Sequence, residues 1–224
     1  MKNHSIFSLT TIAALLISIT AAAEPLNGEY LVGQGGKFKN LSSAIRALQE
    51  NGVSGPVWLM VEKGKYKEKL VFENIKGTNH INTVTIESKT GNSSDVVFET
   101  PSEGSDFILA LKDVSFLTFE NLTFENSASV YGNVVKIEGN SSYLNFKNCI
   151  LNGVEGARTG ANNAVVYCNP QGKKNFISFD DSEFNNGSVG LYKRNETTAV
   201  KTLVSGCLFY NQHETGLILE NEDA

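Results

Sequence analysis

Paired carboxylates are the first place to look for acid–base chemistry. Asp180-Asp181 is the only adjacent acidic pair away from the C-terminus. Neighbours in a strand point to opposite faces, so these two can meet one substrate only across a bend. Asp181 falls in an aligned column of turn residues, described below, and is read as structural. Calcium would need several converging oxygen ligands, and the chain shows no such cluster. His80 and His213 stand alone, with no serine or cysteine at a recognised catalytic spacing. Cys149, Cys168 and Cys207 are too few and too spread for a zinc motif. An odd number of cysteines also makes no closed disulfide framework. They read as small buried hydrophobes. Spacing therefore assigns no catalytic residue, no metal and no cofactor.

What remains is a set of polar residues predicted to face outward near the longest loop. Lys136, Glu138, Glu155, Arg158, Tyr192 and Arg194 can form a shallow groove with one aromatic platform. Hydrogen bonds and stacking in such a groove suit a polysaccharide; an ordinary solvated face is the competing reading. The charge excludes other partners. With 19 basic and 24 acidic residues, the net charge is −5. A modestly acidic surface argues against nucleic acid.

Repeats must position these residues. Four segments align: Phe116 to Phe124, Tyr143 to Leu151, Phe176 to Phe184, and Lys201 to Phe209. Their final apolar residues are 27, 33 and 25 residues apart. A constant strand core with variable spacing predicts stacked coils whose loops change length. Each segment alternates apolar and polar residues, the mark of a half-buried strand. Leu117 and Phe119 should point inward, Thr118 and Glu120 outward. The alternation slips at Asn121, Asn148, Asp181 and Gly206, residue types that tolerate left-handed backbone and form tight corners. The next inward column is Leu122, Cys149, Ser182, Cys207. A further strand precedes each pair, at Phe107 to Leu111, Val134 to Glu138, Ala164 to Cys168 and Val189 to Lys193. Gly216 to Glu220 continues the series. The prediction is an all-β parallel β-helix with three strands per coil over residues 57–224. Its longest loop is Val154 to Asn163.

Residues 24–56 should form an N-terminal cap. Asn40 can cap a helix over Leu41 to Glu50, with Leu41, Ala44, Ile45 and Leu48 on one face and Asn51-Gly52 ending it. Such a helix would cover the open edge and core end of the first coil. Strands should follow at Val57 to Glu62, Leu70 to Glu73, Thr83 to Glu87 and Val96 to Glu99. Residues 1–23 read as an export signal: Lys2, an uncharged apolar stretch from Ile6 to Thr20, then Ala21-Ala22-Ala23. The stretch is short for a transmembrane helix, so cleavage would leave no membrane span and a secreted or surface-located chain. No capping helix follows Glu220, so a longer protein or a capping partner is expected.

These features resemble the pectin-lyase-like superfamily of right-handed β-helices over about Tyr30 to Ala224. Within it the chain looks most like secreted β-helix repeat proteins of Bacteroidetes-type bacteria. The handedness is what the resemblance implies. A narrower likeness is to the pectinesterases, carried by the run from Tyr30 to Ile45, by Gly64, Tyr66 and Glu68, and by Phe124-Glu125-Asn126. The catalytic motifs of that family do not carry over. Its first glutamine aligns with Asn133, its Gln-Asp pair with Glu155 and Gly156, and its later aspartate with Val189. De-esterification by that family needs a nucleophilic carboxylate and a second carboxyl as general acid, which glycine and valine cannot supply. The resemblance thus implies a pectinesterase-like scaffold without the acids, binding polysaccharide rather than cleaving it. The alternatives are an enzyme with its chemistry beyond Ala224, or a structural adhesion protein.

Overall fold

The computed structural model describes residues 24–101, 106–127, 131–171, 175–194 and 200–220. The expected export signal lies outside them. A strand, β1 (Leu26–Val32), and a helix, α1 (Leu41–Asn51), come first. Six coils of three strands follow. They are β2 (Val53–Val61), β3 (Gly64–Lys67) and β4 (Leu70–Glu73); β5 (Val84–Ser88), β6 (Val96–Glu99) and β7 (Leu109–Lys112); β8 (Ser115–Glu120), β9 (Thr123–Glu125) and β10 (Val135–Gly139). Next are β11 (Ser142–Lys147), β12 (Ile150–Asn152) and β13 (Val166–Pro170); β14 (Asn175–Asp180), β15 (Glu183–Asn185) and β16 (Val189–Arg194); β17 (Val200–Ser205), β18 (Leu208–Tyr210) and β19 (Thr215–Glu220). Corresponding strands of successive coils pair in parallel into three sheets. The first sheet holds β1-β2-β5-β8-β11-β14-β17, the second β3 to β18, the third β4 to β19. The protein is a right-handed parallel β-helix, the sense that right-twisted parallel strands impose on their crossovers.

Period-2 alternation sends one residue in two into the core, and register stacks those residues into columns. Phe119, Phe146 and Phe179 stack with ring centroids 5.0 Å apart at each step. Phe98 lies 5.4 Å from Phe124, and Phe184 lies 4.6 Å from Phe209. Aliphatic columns such as Val84–Leu117–Leu144–Ile177 fill the rest. Cys149 and Cys168 are buried and all three cysteines are free. Burial pushes the Cys149 thiol up to about 12, so it packs as a hydrophobe. Lys193 is an inward exception in the third sheet; fully buried, it donates to the Thr202 hydroxyl.

The corners fall where the alternation slips. Asn121, Asn148, Asp181 and Gly206 have φ of 55°, 48°, 48° and 63°. The Asn148 Nδ2 donates to Asn121 Oδ1 at 2.6 Å, which ties one coil to the next. At Gly206 an added Cβ would sit 2.1 Å from Asp181 Oδ1, so a side chain there would make that carboxylate turn aside. Asp180 stays in its strand while Asp181 turns the corner, so the two carboxylates serve different surfaces.

The cap is more extensive than the sequence suggested. Strand β1 extends the first sheet by pairing with β2, and the first coil strand begins at Val53 rather than Val57. Asn40 caps α1 by accepting from the Ser43 amide at 3.0 Å. Glu68 also accepts from the Leu41 and Ser42 amides, at 3.3 and 2.8 Å. A carboxylate at a helix N-terminus satisfies orphan donors and complements the dipole. Glu68, the last residue of the Gly64-Tyr66-Glu68 motif, therefore fastens the cap to the first coil. Strands β1 and β3 were not anticipated, because Gly28, Gly64 and a run of lysines obscure their alternation.

Replacing Asn148 by Ala removes an inter-coil hydrogen bond and puts a Cβ residue with no compensating side chain into left-handed backbone. The expected loss is about 1–3 kcal/mol. A thermal melt should show Tm about 2–12 °C lower, whereas Asn148→Gly should recover part of the loss.

Candidate functional site

Outward columns obey the same register as inward ones, so each sheet displays a stripe of side chains one coil apart. On the second sheet the column Glu99–Glu125–Asn152–Asn185–Tyr210 is in register throughout. Asn185 Nδ2 donates to Asn152 Oδ1 at 3.0 Å and to Glu183 Oε2 at 3.3 Å, so the amides are held in place before any ligand arrives. Tyr210 is 65% exposed. Asn126, Ser127, Gly153 and Glu155 complete an open groove of about 620 Å³. Asn126 is buried; its amide N–H donates to Asn152 O at 2.8 Å and its Nδ2 to Asn133 O at 3.1 Å. The lining carries two carboxylates, Glu125 and Glu155, several amides and one phenol ring, with no lysine or arginine among the described residues. It can offer a polyhydroxylated ligand both donors and acceptors.

The residues singled out in the sequence do not form one groove. The loop holding Glu155 and Arg158 joins β12 in the second sheet to β13 in the third. Glu155, at its start, faces the second-sheet groove. Arg158 is exposed, and its carbonyl accepts from Asn163 Nδ2 at 2.9 Å. Lys136, Glu138, Tyr192 and Arg194 lie on the third sheet instead. Lys136 is paired with Asp106 at 3.1 Å, which Lys69 also engages at 2.7 Å. Tyr192 stacks on Tyr167 at 5.9 Å and donates to Glu220 at 3.3 Å. Arg194 lies 3.5 Å from the same carboxylate. These cations are engaged by acids of neighbouring coils, which leaves the third sheet a paired, solvated surface with one short tyrosine stack. Glu125, Asn152, Asn185 and Tyr210 were missed, although each directly follows the last apolar residue of an aligned segment.

Two crystal structures of the pectin methylesterase from Aspergillus niger are similar to this chain. Each covers 92% of this chain and 91% of its own. The identities are 12% and 13%, with TM-scores of 0.32 and 0.28. No protein-family model matches the chain, and no curated protein matches it.

Of Asn133, Gly156 and Val189, two are buried. Asn133 is buried, donating from Nδ2 to Ala164 O at 2.7 Å and Ala161 O at 3.0 Å. It anchors the long loop and does not line the groove. Val189 is buried at the start of β16. Gly156 is exposed with φ 67°. Among the described residues no group of His, Cys, Asp and Glu can hold a metal ion, and no helix is long and apolar enough to cross a membrane.

The first sheet presents a charged column, Glu87–Glu120–Lys147–Asp180. Glu87 and Glu120 are register partners on its outer face. Partial burial, then the Glu120 and Glu29 carboxylates, hold the Glu87 carboxyl above its ordinary range. The folded chain thus binds this proton more tightly than the unfolded chain does. The favourable contribution is complete below the usual carboxylate pKa and is lost as pH rises through the raised value. Replacing Glu87 by Gln should raise Tm by about 1–2 °C at neutral pH. Melts at pH 3 should show no gain.

Proposed function

We propose that the protein is an exported, non-catalytic β-helix that binds polysaccharide at the cell surface or outside the cell. The observation that carries this reading is the in-register column Glu125–Asn152–Asn185–Tyr210, faced by Glu155 from the long loop. Sugars are recognised through directional hydrogen bonds to hydroxyls and through stacking on an aromatic ring. The groove supplies preformed amides, carboxylate acceptors and an exposed tyrosine, on rigid strands that need little ordering upon binding. It is open along the solenoid, which suits a chain rather than an enclosed small molecule. Residues 1–23 act as the export signal in this reading, with residues 24–56 as the cap and 57–224 as the binding coils. The non-catalytic part is supported by the sequence alignment that places Gly156 and Val189 where a pectinesterase-like chain would keep its acids.

The purified chain should be retarded in affinity electrophoresis by at least one soluble polysaccharide. Asn185→Ala and Tyr210→Ala should each weaken that retention about tenfold, a loss of about 1.4 kcal/mol. Indifference to every glycan in a broad panel would sink the proposal and favour a structural adhesion role. Release of methanol or of shortened chains by the unchanged protein would instead make it an enzyme.

A further inference from the structure

The groove on the second sheet has a sign, and the sign restricts its ligand. Two of its lining residues are carboxylates, Glu125 in the strand column and Glu155 from the long loop. Glu183 is joined to the floor, because Asn185 Nδ2 donates to its Oε2 at 3.3 Å. None of the three has an ion-pair partner among the described residues. Nearer the cap, acids are compensated. Asp95 pairs with Lys63 and Glu99 with Lys65, each at 2.7 Å, and Lys67 stands in register with Glu99. Those three lysines belong to the first coil, two coils before Glu125. The Lys65 ammonium is held by Glu99, with Glu125 a smaller influence.

From β9 onward the strands of the second sheet carry no lysine or arginine. Residues 128–130, which follow the Glu125 strand, are Ala-Ser-Val and add none. The remaining cations of these coils belong to other surfaces. Lys147 lies on the first sheet, in register between Glu120 and Asp180. Lys173 and Lys174 fall in the connection from the third sheet to the first. Arg158 is exposed further along the long loop and does not line the groove. His213 lines the adjoining cleft beyond Glu155.

The hydrogen-bonding groups point the same way independently of net charge. Asn185 uses its Nδ2 on Asn152 Oδ1 at 3.0 Å and on Glu183, which leaves its carbonyl oxygen for a ligand. Asn152 accepts through Oδ1 and keeps its Nδ2. Asn186 likewise accepts through Oδ1, from Asn211 at 2.8 Å. The open donors are therefore two amide nitrogens and the Tyr210 hydroxyl, against one amide oxygen and the oxygens of two carboxylates. An ammonium brings only donors and a carboxylate only acceptors. Hydrogen bonds between ionised partners are roughly twice as strong as neutral ones, while a carboxylate brought beside Glu125 and Glu155 is repelled. The Tyr210 ring is 65% exposed and stacks on no other ring among the described residues, so it keeps a free face for a sugar.

We propose that this groove selects a cationic glycan, a linear amino-sugar chain with free amines. Its amines meet Glu125 and Glu155, its hydroxyls Asn152 and Asn185, and one sugar face Tyr210. The inference rests on this groove being the glycan site proposed above and adds the class of chain it takes. A polyuronate is the chain these groups reject.

Hexamers of glucosamine, N-acetylglucosamine and galacturonic acid can be compared by calorimetry in mildly acidic buffer, where a sugar amine is charged. The glucosamine hexamer should bind roughly tenfold tighter than the N-acetylated one, the worth of one hydrogen bond to a charged group. The galacturonic acid hexamer should bind weakest. Added salt should shrink the preference. Glu125→Gln combined with Glu155→Gln should reduce it to within about twofold, whereas Glu87→Gln with Glu120→Gln, an equal loss of charge on the first sheet, should leave it unchanged. Tyr210→Ala should weaken both amino-sugar hexamers by the same factor. Equal affinity for the charged and N-acetylated hexamers would overturn the proposal and leave the glycan groove standing. A preference that survives loss of both groove carboxylates, or that the first-sheet pair abolishes as fully, would overturn it as well. Binding of none of the hexamers would also overturn it, while the broader reading falls only with indifference to every other glycan.

Discussion

Register between coils is the constraint on which the rest of the molecule depends. Parallel strands pair residue over residue, so whatever a coil places at one position must tolerate its counterpart in the coils above and below. Inside, that requirement yields the Phe119–Phe146–Phe179 stack and the aliphatic columns around it. At the corners, one Asn can bond to the next, as Asn148 does to Asn121. Above Asp181 the next coil carries Gly206, which leaves that carboxylate its room. The interior is in this sense one-dimensional: each coil is stabilised chiefly by its neighbours.

A one-dimensional core leaves a problem at its start, since the first coil has an unpaired edge and an uncovered end. Strand β1 supplies the missing pairing and α1 covers the apolar end with Leu41, Ala44, Ile45 and Leu48. Glu68 joins the two parts by accepting from amides in the first turn of the helix. The last residue of the Gly64-Tyr66-Glu68 motif is therefore a fastening between cap and coil.

On the outside, register turns single residues into repeating ladders. A ladder recognises a repeating ligand naturally, because each rung meets the next unit of a polymer. The second sheet offers amides and carboxylates ending in Tyr210. The third sheet also makes ladders, but its charges are paired across coils, Lys136 with Asp106 and Arg194 with Glu220. What distinguishes the second sheet is that its ordered side chains still present polar and aromatic surface to solvent.

The sequence alone determined the coil. Alternation, the slip at Asn121 and its counterparts, the inward cysteine column and the capping helix were all legible, because each reports a local backbone requirement. Strands β1 and β3 were not, since their glycines and lysines break the alternation and pairing alone holds them extended. The candidate site was legible only as a column without an address. Glu125, Asn152, Asn185 and Tyr210 already followed the aligned segments. Sequence distance placed Glu155 with Lys136, Tyr192 and Arg194, whereas the fold put the loop's first residues over the second sheet and the others on the third. Only the tertiary structure decided that grouping, because a corner between sheets redirects the chain within a residue or two, and no periodicity records which face it turns towards.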